Sequence, residues 1–165
     1  MTMRRLLAHL LTTRSSVRRA FPAQLGDKVE AAVRQAEKAH EVELRVVAEP
    51  HLPLGRVLAR QTSRHRAVEL FSLLRVWDTE HNCGVLIYVL MADRKIEIVA
   101  DRGISAKVPQ REWDRICRQI AGAFREKRFE QGTLLGINEV LALLKQHVPG
   151  RTSARNEIPD APAIL

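Results

Sequence analysis

The chain has 165 residues, of which 45% are hydrophobic, 28% are charged and 4% are aromatic. This length and composition predict one soluble globular domain with an aliphatic core. The formal net charge of +8 is compatible with an anionic partner. Because no zinc-finger spacing or other nucleic-acid-binding signature accompanies the charge, we expect a solvated basic face and no nucleic-acid partner.

The length of the apolar segments and the positions of the two cysteines suggest where in the cell the protein is located. The longest apolar run, residues 83–92, is about half of what a membrane span needs, so we expect no integral membrane helix. Cys83 and Cys117 lack metal-binding or disulfide spacing, which favours a reducing, cytoplasmic compartment. Residues 1–26 carry five arginines, no acidic residue and no signal-peptide cleavage site. We interpret them as a loosely docked basic arm that could touch a membrane surface, with one amphipathic helix over residues 3–21 as the other interpretation.

The first predicted elements after this arm are a helix, a strand and a second helix. The first helix begins at Asp27, which has a glutamate three positions later as in a capping box, and ends near His40. Alternating apolar residues predict a strand over residues 41–48. After a proline-rich loop, Ser63 caps a helix whose apolar stripe continues to Leu74.

A hairpin and two more helices follow. Residues 84–91 are apolar on both faces, as expected of a central strand covered on two sides. A three-residue turn leads into an alternating strand over residues 95–100, which predicts an antiparallel pair. Pro109 suits the first turn of the next helix, and Thr133 can cap a final helix that ends before Pro149.

The resulting order, αβαββαα, predicts an α/β fold. A strand, helix, strand crossover makes the first two strands parallel, so we expect a three-layer α/β/α sandwich around a small mixed sheet of three to four strands. We divide the chain into a basic arm (1–26), an α/β/α domain (27–149) and an extended or disordered tail (150–165).

Polar side chains are predicted to converge at one edge of this sheet. The N-terminal ends of the two parallel strands and the C-terminal end of the third strand meet there. Carboxylate and amide oxygens of this kind could hold Ca²⁺ or Mg²⁺. The candidate metal ligands are Glu43, Asp78, Asn82 and Asp101. Three further residues could bind a ligand beside the cation, namely Glu80, His81 and Arg102.

The same residues also have a purely structural interpretation. Asp78 and Asn82 could satisfy backbone amides in their own loop, and Asp101 could pair with Arg102 or cap a turn that needs Gly103. The spacing lacks the central glycine and the final glutamate of an EF-hand loop. The sequence leaves both interpretations open.

Other catalytic chemistry has little support. The chain contains no nucleophile elbow, P-loop or dinucleotide-binding motif. The opposite edge of the predicted sheet offers only Asp93 and Arg94.

Seven short motifs resemble those of one known family. They are Glu43-Leu44-Arg45, Asn82-x-Gly84-Val85-Leu86-Ile87-Tyr88, Asp93-Arg94, Asp101-Arg102-Gly103-Ile104, Trp113, Gly132 and Gly136-Ile137. Together they resemble the TPM-domain family, which includes plant thylakoid proteins of photosystem repair and many bacterial proteins. The resemblance covers roughly residues 27–149 and is to the short bacterial branch without a membrane helix. It implies an α/β/α sandwich, calcium-linked acid phosphatase activity in plant members and roles with membrane-protein complexes elsewhere.

Two functional hypotheses follow. The first is a non-enzymatic accessory or interaction domain with a membrane-associated protein partner, located in the cytoplasm or peripherally at the membrane. The alternative is a Ca²⁺- or Mg²⁺-dependent acid phosphatase. In that hypothesis Glu43, Asp78 and Asp101 hold the cation and Arg102 steadies the phosphate.

Overall fold

The computed structural model describes residues 3–39, 42–147 and 157–165. Eight helices and four strands form within these residues. The helices are α1 (Met3–Leu11), α2 (Arg14–Ala20), α3 (Ala23–Ala39), α4 (Leu54–Leu58), α5 (Ser63–Leu73), α6 (Arg102–Ser105), α7 (Gln110–Arg125) and α8 (Phe129–His147). The strands are β1 (Glu43–Glu49), β2 (Gly84–Leu90), β3 (Lys95–Ala100) and β4 (Ala163–Ile164).

The strands form one mixed sheet in the order β3-β2-β1-β4. β1 and β2 are parallel, with Glu43 opposite Gly84 and Glu49 opposite Leu90. β2 and β3 are antiparallel, and β4 pairs in parallel with the second half of β1. The predicted mixed sheet is therefore confirmed, and a short segment of the tail supplies its fourth strand.

Apolar side chains alternate between the two faces of the sheet and form two cores. On one face, Val46, Ile87 and Ile98 pack with the buried sides of α3, α7 and α8. On the other face, Leu86 and Tyr88 pack with α4 and α5. Helices therefore cover both faces, as the predicted α/β/α sandwich requires.

The N-terminal segment differs from its prediction. Residues 3–21 form two helices rather than one, because the chain leaves the helical conformation at Thr12 and Thr13. Val17 and Phe21 are buried in the core beneath the sheet. The interpretation of this segment as a loosely docked arm is therefore wrong.

Three predicted helix caps are also wrong. Asp27 lies inside α3, which begins four residues earlier. Thr62 rather than Ser63 caps α5, since its hydroxyl accepts the backbone N–H of the residue three positions later at 3.1 Å. Thr133 lies within α8 and donates to the carbonyl four residues before it at 2.9 Å. At α5 a neighbouring residue of similar type takes the cap, whereas α3 and α8 begin four residues before the predicted cap.

Two short helices, α4 and α6, form where the sequence predicts loops. The predicted helix end near His40, the strand start at Glu41 and the helix end before Pro149 lie outside the described residues. Of the predicted tail, residues 157–165 are described, and they pack on the domain. Ile158 is buried in the core beside α5.

Candidate functional site

The predicted sheet edge brings two of its carboxylates into one row across three strands. Glu43 lies opposite Gly84 in β1 and β2, and the backbone N–H of Asp101 donates to the carbonyl of Gly84 at 2.9 Å. Residues that face each other across a sheet have their Cβ positions on the same face, so Glu43 and Asp101 flank Gly84. The carbonyl oxygen of Val76 occupies the space that a side chain at Gly84 would need.

Glu43 is bound by the tail. One carboxylate oxygen accepts the backbone N–H of Glu157 at 3.1 Å, and the other accepts that of Ile158 at 2.9 Å. Glu43 is only 2% exposed, and burial raises its pKa above the ordinary value although both hydrogen bonds lower it. Arg45, two residues further along β1, donates to the tail carbonyls of Pro159 and Ala161. The outer side of β1 thus holds an extended segment of the same chain.

Asp101 has the capping role that the structural interpretation predicted. One carboxylate oxygen accepts the backbone N–H of Arg102 at 2.6 Å at the start of α6. A Cβ at Gly103 would lie 2.6 Å from the carbonyl oxygen of Asn82, so this turn requires a glycine. The other oxygen of Asp101 is buried and has no hydrogen-bond partner among the residues that the structure describes.

Four of the remaining predicted site residues lie in the loop before β2, Arg102 begins α6, and most of the five are exposed. Asn82 has a left-handed backbone (φ 53°), and its side-chain oxygen accepts the Arg102 guanidinium at 2.9 Å. The backbone N–H of Glu80 lies 3.3 Å from the carboxylate of Glu157, so this residue also contacts the tail. Asp78 has a side chain that is 54% exposed, and His81 is exposed as well.

A preformed cation site does not emerge from this arrangement. Ca²⁺ takes six to eight oxygen ligands, and Mg²⁺ takes six. In the described ranges 3–39, 42–147 and 157–165, no three His, Cys, Asp or Glu side chains are grouped closely enough to hold a metal ion. Both oxygens of Glu43 accept tail amides, and only one oxygen of Asp101 is unused. In this arrangement the oxygen atoms available at the sheet edge are too few to hold a cation. Binding of Ca²⁺ or Mg²⁺ therefore stays a prediction.

Sequence reasoning missed a buried acid behind this edge. Glu37 of α3 is 8% exposed, and one of its oxygens accepts the backbone N–H of Leu44 at 3.1 Å. Burial is the main cause that raises its pKa to about 8, and repulsion from Glu43 and the buried Asp160 adds to it. The available signal was its position four residues after Val33, on the apolar stripe of the helix.

Replacing Glu37 by glutamine should flatten the pH dependence of stability. The pKa of Glu37 is about 8 in the folded protein against an ordinary 4.5, so the folded state retains a proton that the unfolded chain has released. The contribution of Glu37 to stability is therefore greatest below about pH 4.5 and is lost as the pH rises through 8. Glu37→Gln keeps the acceptor for Leu44 and removes the titration. Between about pH 4.5 and pH 8 the unfolding free energy of Glu37→Gln should fall by roughly 2–4 kcal/mol less than that of the wild type.

Urea unfolding at several pH values measures this difference, with the exposed Glu126→Gln as the matched control. Glu43 is present in every variant, and because it repels Glu37, the difference between the curves includes this coupling between the two acids. A Glu37→Gln curve parallel to that of the wild type would contradict the expectation.

A different surface is formed by α1 and α4, which pack against each other. Six large apolar side chains of these two helices are between 43% and 76% exposed. We call this set the leucine surface; its members are Met3, Leu7, Leu10, Leu11, Leu54 and Leu58. Within each helix they recur every three or four residues, so they share one face of it. Contiguous exposed apolar patches mark interaction sites more often than scattered apolar residues do.

The inward side of α1 is polar and anchors the helix to the hairpin turn. Arg5 donates to both carboxylate oxygens of Asp93, at 3.0 and 2.8 Å, and the buried His9 bonds to the same group at 3.0 Å. The other ring nitrogen of His9 accepts the backbone N–H of Leu52 at 3.0 Å, so the proton is on Nε2. Burial alone would raise the pKa of Asp93, but the bonds from Arg5 and His9 lower it below its ordinary value.

The segments that form the leucine surface have a uniform charge. Residues 3–26 contain five arginines and no acid, and residues 50–68 contain four arginines and no acid. Most of these arginines are exposed; Arg4, Arg14 and Arg60 lie in or next to α1 and α4. Carboxylates from outside these segments pair with Arg5, Arg56 and Arg66, and the other arginines leave an apolar face bordered mainly by cations. This is the pattern of a helix that lies on an anionic membrane.

Comparison with known proteins agrees with this fold. The sequence profile of the TPM domain matches residues 19–143. The NMR structure of BA42 from the psychrophilic bacterium Bizionia argentinensis is 28% identical, with a TM-score of 0.75 over 87% of this chain and 94% of that one. The N-terminal domain of a protein from P. gingivalis is 18% identical, with a TM-score of 0.58 over 76% of each chain, and shares the fold. No curated protein is significantly similar. The family profile covers well over half of the sequence, so this chain belongs to the TPM-domain family.

Proposed function

We propose that this TPM domain is a non-enzymatic interaction domain that docks on an anionic membrane surface through the leucine surface. The observation that carries the proposal is the set of six exposed apolar side chains on α1 and α4. In this position the domain would act next to the membrane-protein complexes with which the family resemblance associates it.

The energetics favour a bilayer as the occupant of this surface. Complete burial of a leucine or methionine side chain contributes about 1.5–3 kcal/mol, so partial insertion of four of the six residues is sufficient for reversible binding. Each arginine near an anionic surface adds about 1 kcal/mol. Arg5, Arg56 and Arg66 are already paired with carboxylates, so this attraction comes from the other, exposed arginines, such as Arg4 and Arg60.

The anchoring of α1 also suits this role. Because Arg5 and His9 hold the helix on Asp93, Leu7 and Leu11 are presented on a fixed face rather than on a flexible arm. A helix that is already formed and oriented loses less conformational entropy on binding. In the described part of the chain, no helix has the length and apolar composition needed to cross the bilayer.

Vesicle co-sedimentation tests this proposal. The full chain should pellet with vesicles that contain phosphatidylglycerol and should remain in the supernatant with phosphatidylcholine alone. Leu7→Glu should reduce the bound fraction at least tenfold. Leu135→Glu introduces the same charge on an exposed leucine of α8, away from the leucine surface, and should bind like the wild type.

Two results would contradict the proposal. One is a wild-type chain that does not bind anionic vesicles at low salt. The other is equal loss of binding in Leu7→Glu and Leu135→Glu when both variants unfold like the wild type, because the leucine surface would then have no special role.

The alternative is the Ca²⁺- or Mg²⁺-dependent acid phosphatase. A cation held by Glu43, Asp78 and Asp101 would have to displace the tail amides from Glu43 and recruit the exposed Asp78. Hydrolysis of a generic phosphate ester that increases on addition of either cation, and is lost in Asp101→Ala, would support this alternative.

A further inference from the structure

A second site lies on the opposite face of the sheet from the leucine surface. A cavity of about 230 Å³ opens between the end of β2, the start of β3 and helices α7 and α8. We call it the hairpin pocket. Its apolar lining comes from both the sheet and the helices, and includes Val89, Met91, Ile96, Ala121, Phe124 and Phe129. A cavity of about 150 Å³ with such walls binds benzene, so this pocket has room for a ring or a short acyl chain.

Three cationic residues border this apolar pocket. Arg94, Arg125 and Lys127 belong to its lining and are exposed. Within the residues that the structure describes, no carboxylate is within ion-pair distance of any of them. Arg125 uses its Nε to bond to the carbonyl of Ala121 at 3.2 Å, which leaves its two terminal nitrogens available. The charge at the mouth of the pocket is therefore uncompensated and positive.

Two of these cations are held by tight turns that begin at residues of the pocket wall. The backbone N–H of Arg94 donates to the carbonyl of Met91 at 3.1 Å, and that of Lys127 donates to Phe124 at 3.0 Å. Both residues have left-handed backbones, with φ of 52° and 61°. Non-glycine residues rarely adopt this conformation, and those that do are found more often at functional sites than elsewhere. The turns thus place the backbones of two cationic residues next to the apolar walls.

The position within the fold also suits a ligand. Residues 89–91 are at the carboxyl end of β2, which pairs in parallel with β1. Ligands of α/β proteins bind preferentially beyond the carboxyl ends of parallel strands. The predicted acidic cluster, by contrast, lies at the amino ends of the same two strands.

We propose that the hairpin pocket binds an amphiphilic carboxylate of about eight carbons, with its apolar chain between Phe124 and Met91 and its carboxylate among Arg94, Arg125 and Lys127. Such an anion could be free in solution or belong to a lipid of a bilayer. An anion without an apolar chain, such as phosphate, would contact only the three cations at the mouth, because the apolar walls inside the pocket offer it no hydrogen-bond donors.

Titration of the ¹⁵N-labelled full chain with sodium octanoate tests this proposal. Saturable amide shifts are expected in residues 89–96 and 121–129, whereas 1-octanol should bind at least tenfold more weakly because it lacks the charge. The double variant Arg94→Ala, Lys127→Ala should weaken octanoate binding at least tenfold. Arg128→Ala removes a neighbouring cation that already pairs with Glu126 and does not line the pocket, so it should bind like the wild type.

A variant that fills the pocket provides an independent arm. Ala121→Leu should abolish the saturable shifts. Its thermal unfolding shows whether this variant folds. If it does not fold, the double variant Arg94→Ala, Lys127→Ala still tests the proposal. Octanoate shifts without saturation, equal affinity for octanol, or unchanged binding in the double variant would overturn the proposal.

The source of the anion is distinguished by vesicles. If phosphatidylcholine vesicles that contain oleate shift the same amides in the Leu7→Glu variant as octanoate does, the carboxylate comes from a bilayer; if they do not, it is free in solution. Octanoate binding itself should survive Leu7→Glu, so the hairpin pocket and the leucine surface can fail separately.

Discussion

A Gly84→Ala variant is expected to lose more than about 4 kcal/mol of unfolding free energy or to fail to fold. A Cβ at Gly84 would lie 1.8 Å from the carbonyl oxygen of Val76 and 2.9 Å from its carbonyl carbon. Both atoms belong to the backbone of a fully buried residue, so no side-chain rotation can relieve the clash. Gly84 also accepts the backbone N–H of Asp101, and movement of β2 would break the row that holds Glu43.

Gly122→Ala is the matched control for this prediction. Gly122 lies inside α7, and a Cβ there would meet nothing within 4 Å. The alanine should raise the unfolding free energy by about 0.5–1 kcal/mol, since glycine is the poorer helix former. Urea unfolding followed by far-UV circular dichroism measures both variants. A Gly84→Ala protein within about 1 kcal/mol of the wild type would show that Val76 can move easily.

Arg66→Ala is expected to cost about 3–5 kcal/mol, because it leaves a buried carboxylate without its counter-charge. Glu49 at the end of β1 accepts two bonds from the Arg66 guanidinium, at 2.9 and 2.8 Å, and a third from the Tyr88 hydroxyl at 2.7 Å. The side chains of Arg66 and Glu49 are 12% and 7% exposed. The bond to Glu49 raises the pKa of Arg66, and burial together with Glu49 raises the pKa of Tyr88.

The interpretation depends on two comparisons. Arg75→Ala removes an arginine that is 77% exposed and only 3.8 Å from Asp78, and should change stability by less than about 0.5 kcal/mol. The double variant Arg66→Met, Glu49→Leu replaces both charges by apolar groups and should be more stable than Arg66→Ala alone. If the double variant is the least stable of the set, the ion pair itself, rather than an unpaired carboxylate, is the source of the loss.

The sheet and the convergence at its edge were predictable because both depend on local patterns. Alternation in β1 and β3 and the continuous apolar run of β2 identify the strands, and the crossover through α5 requires β1 and β2 to be parallel. Chain direction alone then places Glu43 and Asp101 at the same edge. The capping interaction of Asp101 was equally local, since its partner is the next residue.

The unpredicted features depend on partners far away in the sequence. The leucines of residues 6–11 have helical spacing, but which face turns inward is decided by the bonds from Arg5 and His9 to Asp93, more than 80 residues later. The structural role of Glu43 also depends on distant residues, because the backbone N–H groups that it accepts belong to the tail. Apolar periodicity cannot detect a polar inward face, so it left the orientation of α1 open.

The tail contacts on β1 also determine the order in which the sheet can be completed during synthesis. The bond between Glu43 and residue 157 spans 114 positions. At about 5–20 residues per second, roughly 6–23 s pass between the translation of β1 and that of its outer neighbour. During this interval the outer edge of β1 carries unpaired backbone groups next to two charged side chains, Glu43 and Arg45. Charges on an open strand discourage pairing with another chain. The residues that later hold the tail would thus protect the nascent sheet until the tail arrives.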